Sequence, residues 1–350
     1  MYFRPEPHTD APQQAGRCGV MLINLGSPEA PTASAVRRYL AEFLSDRRII
    51  EKPPLLWQPI LRGVVLPLRG GASAARYRSI WQEEGSPLLL HSRRQARLLD
   101  GALRQRGLNV VTCAAMRYGK PGVTEALDAL KKGGCTRILA VPMYPQYSAT
   151  TIGSASDAVH AWALRSRAVP ALRVAGSFPL FAPWLHAAAA HVRRFWQRDG
   201  KPQRVVFSFH GVPQQMVQQG DPYMSECCAS AERLAQALEL AEGQWAMAFQ
   251  SRFGRGKWLQ PSTQDVLQEL GRAGAQRVDV FCPGFVADCL ETLEEIGIEG
   301  KKLFQQAGGG ELRVLPCLND APEWIEALAD WVEQNLRGWA ERETPLDMEL

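Results

Sequence analysis

Short apolar runs alternate with longer amphipathic stretches over most of the chain. Each run is rich in Val, Ile, Leu or Phe and ends at Gly, Pro or polar residues, as buried strands do. The stretches between them repeat apolar residues every three or four positions, which predicts helices. The predicted strands are residues 19–25, 110–116, 137–143, 172–175, 205–210, 244–251, 278–282 and 312–316. The predicted helices are residues 33–44, 74–81, 92–106, 123–132, 154–165, 183–197, 222–241, 263–270, 288–296 and 322–336.

This alternation of strands and helices predicts an α/β fold with parallel sheets and right-handed crossovers. The pattern starts again near residue 168, so we expect two halves of similar plan with a cleft between them. The predicted division is a disordered tail at 1–17, an N-terminal domain at 18–168, a C-terminal domain at 169–320, and a final helix and tail at 321–350.

Composition narrows the class of protein. Hydrophobic residues make up 46% and charged residues 22% of the 350, as in ordinary globular proteins. The net charge of +4, without a dense Lys/Arg tract, argues against a nucleic-acid partner. The eight cysteines form no C-x-x-C pair, which argues against a disulfide framework or a zinc site. The chain shows no signal peptide and no apolar run of membrane-spanning length, so we expect a cytoplasmic protein.

Residues 53–69, which we call the lip, combine Leu, Ile, Val and Trp with several prolines and glycines. The segment looks too broken for one helix and too apolar for a surface loop. One interpretation is an ordinary segment that covers the core. The other is an apolar edge over a large ligand, or a patch that rests on a membrane surface.

His210 ends an apolar strand and is followed by a break at Gly211 and Pro213. In open α/β sheets, ligands bind outside the carboxyl ends of the strands, so His210 lies where chemistry is expected. A lone histidine is more often structural than catalytic. The strand-end position distinguishes His210 among the six histidines of the chain.

Three carboxylates, Asp288, Glu291 and Glu295, follow another predicted strand end. Their spacings of three and four place them on one helical face. Spacing alone favours an exposed surface, but apolar neighbours such as Phe285 and Leu290 favour partly buried carboxylates with a raised pKa. Imidazole with carboxylate suits iron(II), zinc, cobalt or copper, and also general acid–base catalysis.

At these residues the chain resembles the ferrochelatases, which insert ferrous iron into a porphyrin. The resemblance covers residues 19–332 and rests on several blocks in the same order. The blocks are INLGSPEAP, EEGSPL, MRYGKP, YPQYSATTIGS, FSFHGVP, FQSRFGRGKWLQPST and PGFVADCLETLEEI. It implies two Rossmann-like domains with parallel sheets, of chelatase-like plan, with the porphyrin in the cleft between them.

The resemblance also implies roles for individual residues. His210 matches the family's active-site histidine and Glu291 its paired glutamate, which would take protons and ligate the metal. Asp288 and Glu295 match acidic residues of the same helix, often π-helical in the family, which would relay protons or metal. The implied porphyrin-binding residues are Leu25, Arg69, Arg117, Tyr118, Ser148 and Trp258.

The implied reaction joins Fe²⁺ and protoporphyrin IX to protohaem, the last step of haem biosynthesis, and releases two protons. Leu25 stands where the coproporphyrin-using branch tends to have tyrosine, which favours protoporphyrin IX. Iron is a substrate, and we expect no prosthetic group. The [2Fe–2S] cluster of the animal enzymes is not expected, because Ala149 occupies one ligand position and no cysteine follows Cys317. Cys289 replaces a histidine of some relatives, which argues against a metal role there.

Three other functions remain open. A related chelatase would use coproporphyrin III with iron, or a corrin precursor with cobalt; the lip and Leu25 argue against both. A non-catalytic carrier of tetrapyrrole or metal would need neither His210 nor Glu291 as a proton acceptor. A generic α/β binding protein would not carry the ordered motif blocks. The lip further predicts peripheral contact with the inner face of the membrane.

Overall fold

Two four-stranded parallel sheets form the framework of the computed structural model, which describes residues 2–4, 17–252 and 256–340. The first sheet has the order β2-β1-β3-β4 and the second the order β6-β5-β7-β8, so the two sheets share one plan. The strands are β1 Cys18–Ser27, β2 Val110–Gly119, β3 Arg137–Pro142, β4 Ala171–Val174, β5 Arg204–His210, β6 Trp245–Gln250, β7 Arg277–Phe281 and β8 Glu311–Val314. The predicted α/β class with parallel sheets is confirmed.

Helices cover both faces of each sheet. The α-helices are α1 Ala33–Phe43, α2 Pro54–Ile60, α3 Leu66–Ile80, α4 Pro87–Gln105, α5 Val123–Lys132, α6 Ser154–Arg165, α7 Ala182–Asp199, α8 Gln214–Gln218, α9 Tyr223–Ala237, α10 Thr263–Arg272, α11 Lys301–Gln306 and α12 Pro322–Asn335. Three segments of the described chain are π-helical: Leu61–Val65, Ala149–Gly153 and Glu291–Gly300. Predicted helices begin late where a cap was overlooked, as at α4, where Ser86 caps the helix and accepts a hydrogen bond from the Leu89 amide.

The largest apolar core joins the two sheets. It contains Val20 of β1 and Phe207 of β5, together with residues of the helices between the sheets. Phe178 lies at its centre, with ring centroids 5.9 Å from Trp184 and 6.0 Å from Trp324. This shared core holds the carboxyl ends of the two sheets in a fixed relation.

Strand β4 corrects one part of the predicted organisation. The sequence analysis assigned this strand to the C-terminal domain, but Arg137–Ala140 of β3 pair with Ala171–Val174 in the first sheet. A four-residue strand carries no signal of which sheet it joins, because pairing depends on tertiary contacts. The domain limits as a whole stay a prediction.

The lip is helical, contrary to the expectation of a broken segment. Helices α2 and α3 are joined through the π-helical turn Leu61–Val65 without a loop. Pro67 lies in the first turn of α3, where a missing N–H costs little, and the wider turn before it accommodates the ring. Within the residues that the structure describes, no helix is long and apolar enough to cross a membrane.

A short piece of the predicted disordered tail is ordered. The Arg4 guanidinium donates to Asp128 at 3.1 Å, and its amide donates to the Arg165 carbonyl at 3.0 Å. Residues 5–16, at the other end 341–350, and the part 253–255 of the FQSRFGRGKWLQPST block lie outside the described residues.

Candidate active site

His210 stands at the carboxyl end of β5, as predicted, with a half-buried side chain. Its Nδ1 lies 2.6 Å from the Gly211 carbonyl oxygen. A carbonyl only accepts, so Nδ1 carries the hydrogen and Nε2 is left as the proton acceptor or metal ligand. Gly211 is required here, because a Cβ at that position would lie 2.8 Å from the Gln250 carbonyl oxygen.

Gln250, at the end of the neighbouring strand β6, connects His210's strand to the acidic segment. Its side-chain oxygen accepts from the Ser208 hydroxyl at 2.7 Å, and its Nε2 donates to the Glu291 carbonyl at 2.8 Å. His210 and Gln250 are direct neighbours across the two strands. The sequence analysis overlooked Gln250, although a polar residue that ends an apolar strand is the same signal that identified His210.

The segment with the carboxylates is a π-helix over Glu291–Gly300, which we call the acidic π-helix. The sequence analysis expected this helix to begin at Asp288, and that limit is wrong, because the helical geometry begins at Leu290. Glu291 and Glu295 therefore belong to the helix, and Asp288 precedes it. π-Helical segments are rare and are often found at functional sites.

Glu295 is held by Ser251, which follows β6. The Ser251 amide and hydroxyl each donate to one oxygen of the carboxylate at 2.6 Å. Burial raises the pKa of Glu295 above its ordinary value, against these hydrogen bonds. The charge of Glu291 raises this pKa further, and the charge of His210 lowers it. Glu291 and His210 therefore both lie close enough to Glu295 to influence its ionisation.

Asp288 has a different environment. Its carboxylate accepts from the Asn319 side-chain amide at 2.7 Å, the Thr292 hydroxyl at 2.9 Å and the Cys317 amide at 3.3 Å. The side chain is buried and tied to the loop after β8. Asp288 thus anchors the start of the acidic π-helix, and its predicted relay role stays a prediction.

Arg117 and Tyr118 converge on Asp46, a residue that the sequence analysis overlooked. The Arg117 guanidinium donates to Asp46 at 2.5 Å and the Tyr118 hydroxyl donates to it at 2.7 Å. Ser154 donates to the same carboxylate at 2.6 Å. Burial alone would raise the pKa of Asp46, but these hydrogen bonds, the Arg48 amide and the Arg117 charge hold it below its ordinary value. Tyr118 is fully buried, so its contact with a porphyrin stays a prediction.

The remaining predicted porphyrin contacts are distributed around the strand ends. Leu25 lines a cavity together with Tyr39, Tyr77 and Glu291. Trp258 packs on the loop after His210, where Pro213 bridges to it.

Ser148 and Arg69 complete this group. Ser148 is buried, and its hydroxyl donates to Asp221 at 3.1 Å. Arg69 is on α3, and partial burial lowers the pKa of its guanidinium. Leu25 and Glu291 thus line the same cavity, whereas the Ser148 hydroxyl is hydrogen-bonded to Asp221.

The donor set for a metal is small. Among the described residues, no three His, Cys, Asp or Glu side chains are arranged to hold a metal ion. The pair of metal ligands that the sequence predicts, His210 and Glu291, stays a prediction, and so small a ligand set suits a metal that is passed on to another ligand. All eight cysteines are free thiols, and burial raises the pKa of Cys289 far above its ordinary value.

Comparison with known proteins gives one consistent family. Residues 17–336 match the family model described as Ferrochelatase. A protein named ferrochelatase from Methylibium petroleiphilum is 49% identical over 347 residues, 99% of this chain and 95% of that protein. A protein of the same name from Bordetella pertussis is 50% identical over 335 residues, 96% and 92% of the two chains.

Solved structures support the fold alone. The sirohydrochlorin chelatase SirB from Bacillus subtilis subspecies spizizenii, in complex with cobalt, gives a TM-score of 0.52 at 11% identity. The similarity covers 93% of this chain and 99% of that chain.

Proposed function

This chain belongs to the ferrochelatase family and inserts iron into a porphyrin, and we propose that its porphyrin is protoporphyrin IX. Two features support this choice over coproporphyrin. Leu25, rather than a tyrosine, lines the cavity next to Glu291. The lip adds exposed apolar side chains, which match a porphyrin with fewer carboxylates.

His210 is the residue that we propose for the proton transfer. Two pyrrole N–H protons must leave as the metal enters, so the site needs an acceptor that titrates near neutrality. The observation that carries this role is the contact between Nδ1 and the Gly211 carbonyl, which leaves Nε2 as a free acceptor. The same nitrogen would ligate Fe²⁺ before insertion.

Glu291 and Glu295 act on the same side in this proposal. Glu291 would pair with His210 as acceptor and ligand, and its backbone is fixed by Gln250. Burial raises the pKa of Glu295, so its carboxyl group holds a proton more readily than an ordinary glutamate and is suited to pass protons onward. Asp288 accepts three hydrogen bonds that fix the start of the acidic π-helix, and it would act along the same route.

The porphyrin would lie against Leu25 and Trp258, with Arg69 directed to a propionate. Arg117 and Tyr118 would form the wall next to the loop of Ser148, both held by Asp46. A cleft that favours a puckered macrocycle over a flat one stabilises the transition state more than the substrate.

We further propose a cytoplasmic protein that contacts the membrane through the lip and works without a [2Fe–2S] cluster. Leu55 is 90% exposed and Leu68 is 75% exposed. Large apolar side chains exposed together in one segment indicate a surface that binds a partner or a membrane. The second part of this proposal rests on the sequence, in which Ala149 occupies one ligand position of the animal enzymes' cluster and no cysteine follows Cys317.

The test is a comparison of two porphyrins. The purified protein is mixed anaerobically with Fe²⁺ and offered protoporphyrin IX or coproporphyrin III in parallel, and the loss of porphyrin fluorescence is followed. A higher kcat/KM for protoporphyrin IX supports the proposal. A preference for coproporphyrin III would overturn the choice of substrate, and binding without turnover would indicate a carrier.

A further inference from the structure

An ion pair joins α3, the helix that continues from the lip, to the acidic π-helix. Nε and Nη2 of Arg76, on α3, lie 2.6 Å and 2.5 Å from one oxygen of Glu294. The Glu294 side chain is only 7% exposed, and that of Arg76 is 44% exposed. A buried carboxylate is therefore covered by a guanidinium that reaches in from the surface.

Arg76 acts on more than its direct partner. Burial alone would lower its pKa, but the Glu294 hydrogen bond and the charges of Glu294, Glu295 and Glu291 outweigh burial and raise it. The guanidinium is thus a cation within reach of three carboxylates of the acidic π-helix. Two of these carboxylates, Glu291 and Glu295, are the ones that we propose to bind the metal and to transfer protons.

A second contact fixes the same two elements. Tyr77, next to Arg76, is in one apolar cluster with Ala74 of α3, and Leu290 packs against that cluster. Leu290 directly precedes Glu291. Helix α3 therefore contacts this segment twice, through Leu290 and through the ion pair with Glu294, which lie on either side of Glu291.

We propose that Arg76 is a positioning residue for metal insertion, which acts through Glu294. The ion pair holds the acidic π-helix against α3 and occupies Glu294, while Ser251 holds Glu295, so that Glu291 is the carboxylate left to the metal. This inference rests on iron insertion by the family, and it does not depend on which porphyrin is used.

Removing either partner has opposite electrostatic consequences. Arg76→Gln leaves the Glu294 carboxylate without its cation beside Glu295, and the site then attracts a divalent cation more strongly. Glu294→Gln releases the Arg76 cation toward Glu291 and Glu295, and the site then attracts the metal less. Both changes also loosen the acidic π-helix, and misplacement of a reacting group by about 1 Å is enough for a large loss of rate.

The test measures kcat and the KM for Fe²⁺ in Arg76→Gln, Glu294→Gln and the double variant, with the porphyrin that the wild type turns over fastest. We expect kcat to fall about tenfold in each single variant. The KM for Fe²⁺ should fall about threefold in Arg76→Gln and rise about threefold in Glu294→Gln. The double variant should return this KM to within about twofold of the wild type.

Arg277→Gln is the matched control. Arg277, the first residue of β7, pairs with Glu311 of β8 at 2.8 Å, and its side chain is 43% exposed, close to the 44% of Arg76. Its kinetics should equal those of the wild type. If the KM for Fe²⁺ is unchanged in both single variants, or moves in the same direction, the proposal is overturned. If Arg76→Gln does not fold, Glu294→Gln and the double variant decide, and equal values of KM in these and the wild type overturn it.

Discussion

Ser251 donates both its amide and its hydroxyl to Glu295, each at 2.6 Å. Ser251 has a φ of 65°, in the left-handed region that residues other than glycine adopt rarely. The backbone after β6 thus takes an unfavourable conformation at the point where it binds the carboxylate. Such conformations persist where the surroundings determine them, and they are concentrated at functional sites.

Glu295 should make stability depend on pH in one direction. Its pKa in the folded protein lies above the ordinary value of 4.5, so the folded state holds the proton more tightly than the unfolded state. Its contribution is therefore fully present below pH 4.5 and is lost as the pH rises through the raised pKa. The free energy of unfolding of the wild type, relative to Glu295→Gln, should fall over this window in urea titrations. A difference that is constant or rises with pH would contradict the assignment.

Asp46→Asn should weaken both the fold and the porphyrin wall. Arg117, Tyr118 and Ser154 each donate to the Asp46 carboxylate, so the variant leaves buried donors poorly paired. We expect a loss of about 1–3 kcal/mol in the free energy of unfolding at pH 7.

Asp46 should make the free energy of unfolding depend on pH in the direction opposite to Glu295. The pKa of Asp46 is below its ordinary value of 3.8, so its contribution is present above 3.8 and is lost as the pH falls through the lowered pKa. The gap between wild type and Asp46→Asn should therefore narrow in acid. An equal gap at pH 7 and at pH 3 would count against a charged Asp46.

The variant Asp288→Asn distinguishes two roles of Asp288, which could fix the start of the acidic π-helix or relay protons. If the three hydrogen bonds to Asp288 only fix the start of the acidic π-helix, the variant should lose about 1–3 kcal/mol of stability and keep most of its kcat below the unfolding temperature. Thermal unfolding and steady-state turnover check the two parts. A large loss of kcat with unchanged stability would instead support the relay that the sequence predicts.

The lip should carry membrane binding, if the proposed contact is right. Replacing Leu55, Leu56 and Leu68 with serine removes apolar surface that is exposed in the protein. We expect binding to vesicles that contain anionic lipid to fall at least about tenfold in sedimentation.

A matched control uses three apolar residues outside the lip. Leu164, Val169 and Leu180 are 66%, 48% and 53% exposed, and their replacement with serine should leave vesicle binding unchanged. Equal binding by the wild type and both triple variants would exclude the lip as the contact.

The strand ends of the site could be predicted because they depend on local pattern. The run that ends in His210 is mostly apolar and is buried on both faces, as a central parallel strand is, and the break at Gly211 marks its end. The placement of Glu291 and Glu295 on one helix could be predicted from their spacing in the sequence. The family could be inferred from the ordered motif blocks. Helices α5 and α6 were predicted to the residue. In α5 the apolar periodicity is strong, and Glu125 binds the Gly122 amide at the start of the helix.

What could not be predicted depends on contacts between distant segments. Asp46 is 71 residues from Arg117, and nothing near it in sequence indicates that it gathers three donors. The lip was predicted as broken because Pro59 and Pro67 usually end helices. Pro59 lies within α2 nonetheless, and the π-helical turn that precedes Pro67 has no sequence signature. Asp288 was assigned to the helical face because α-helical spacing was assumed, but it precedes the helix and binds Asn319.

The central claim is that His210 takes the protons that leave as iron enters the porphyrin, and one measurement tests it most directly. The wild type, His210→Ala and the control His160→Ala, which changes an exposed histidine of α6, are mixed anaerobically with Fe²⁺ and excess porphyrin. The account predicts many turnovers by the wild type and the control, and a kcat at least about 100-fold lower in His210→Ala. Turnover by His210→Ala at the wild-type rate would contradict the account.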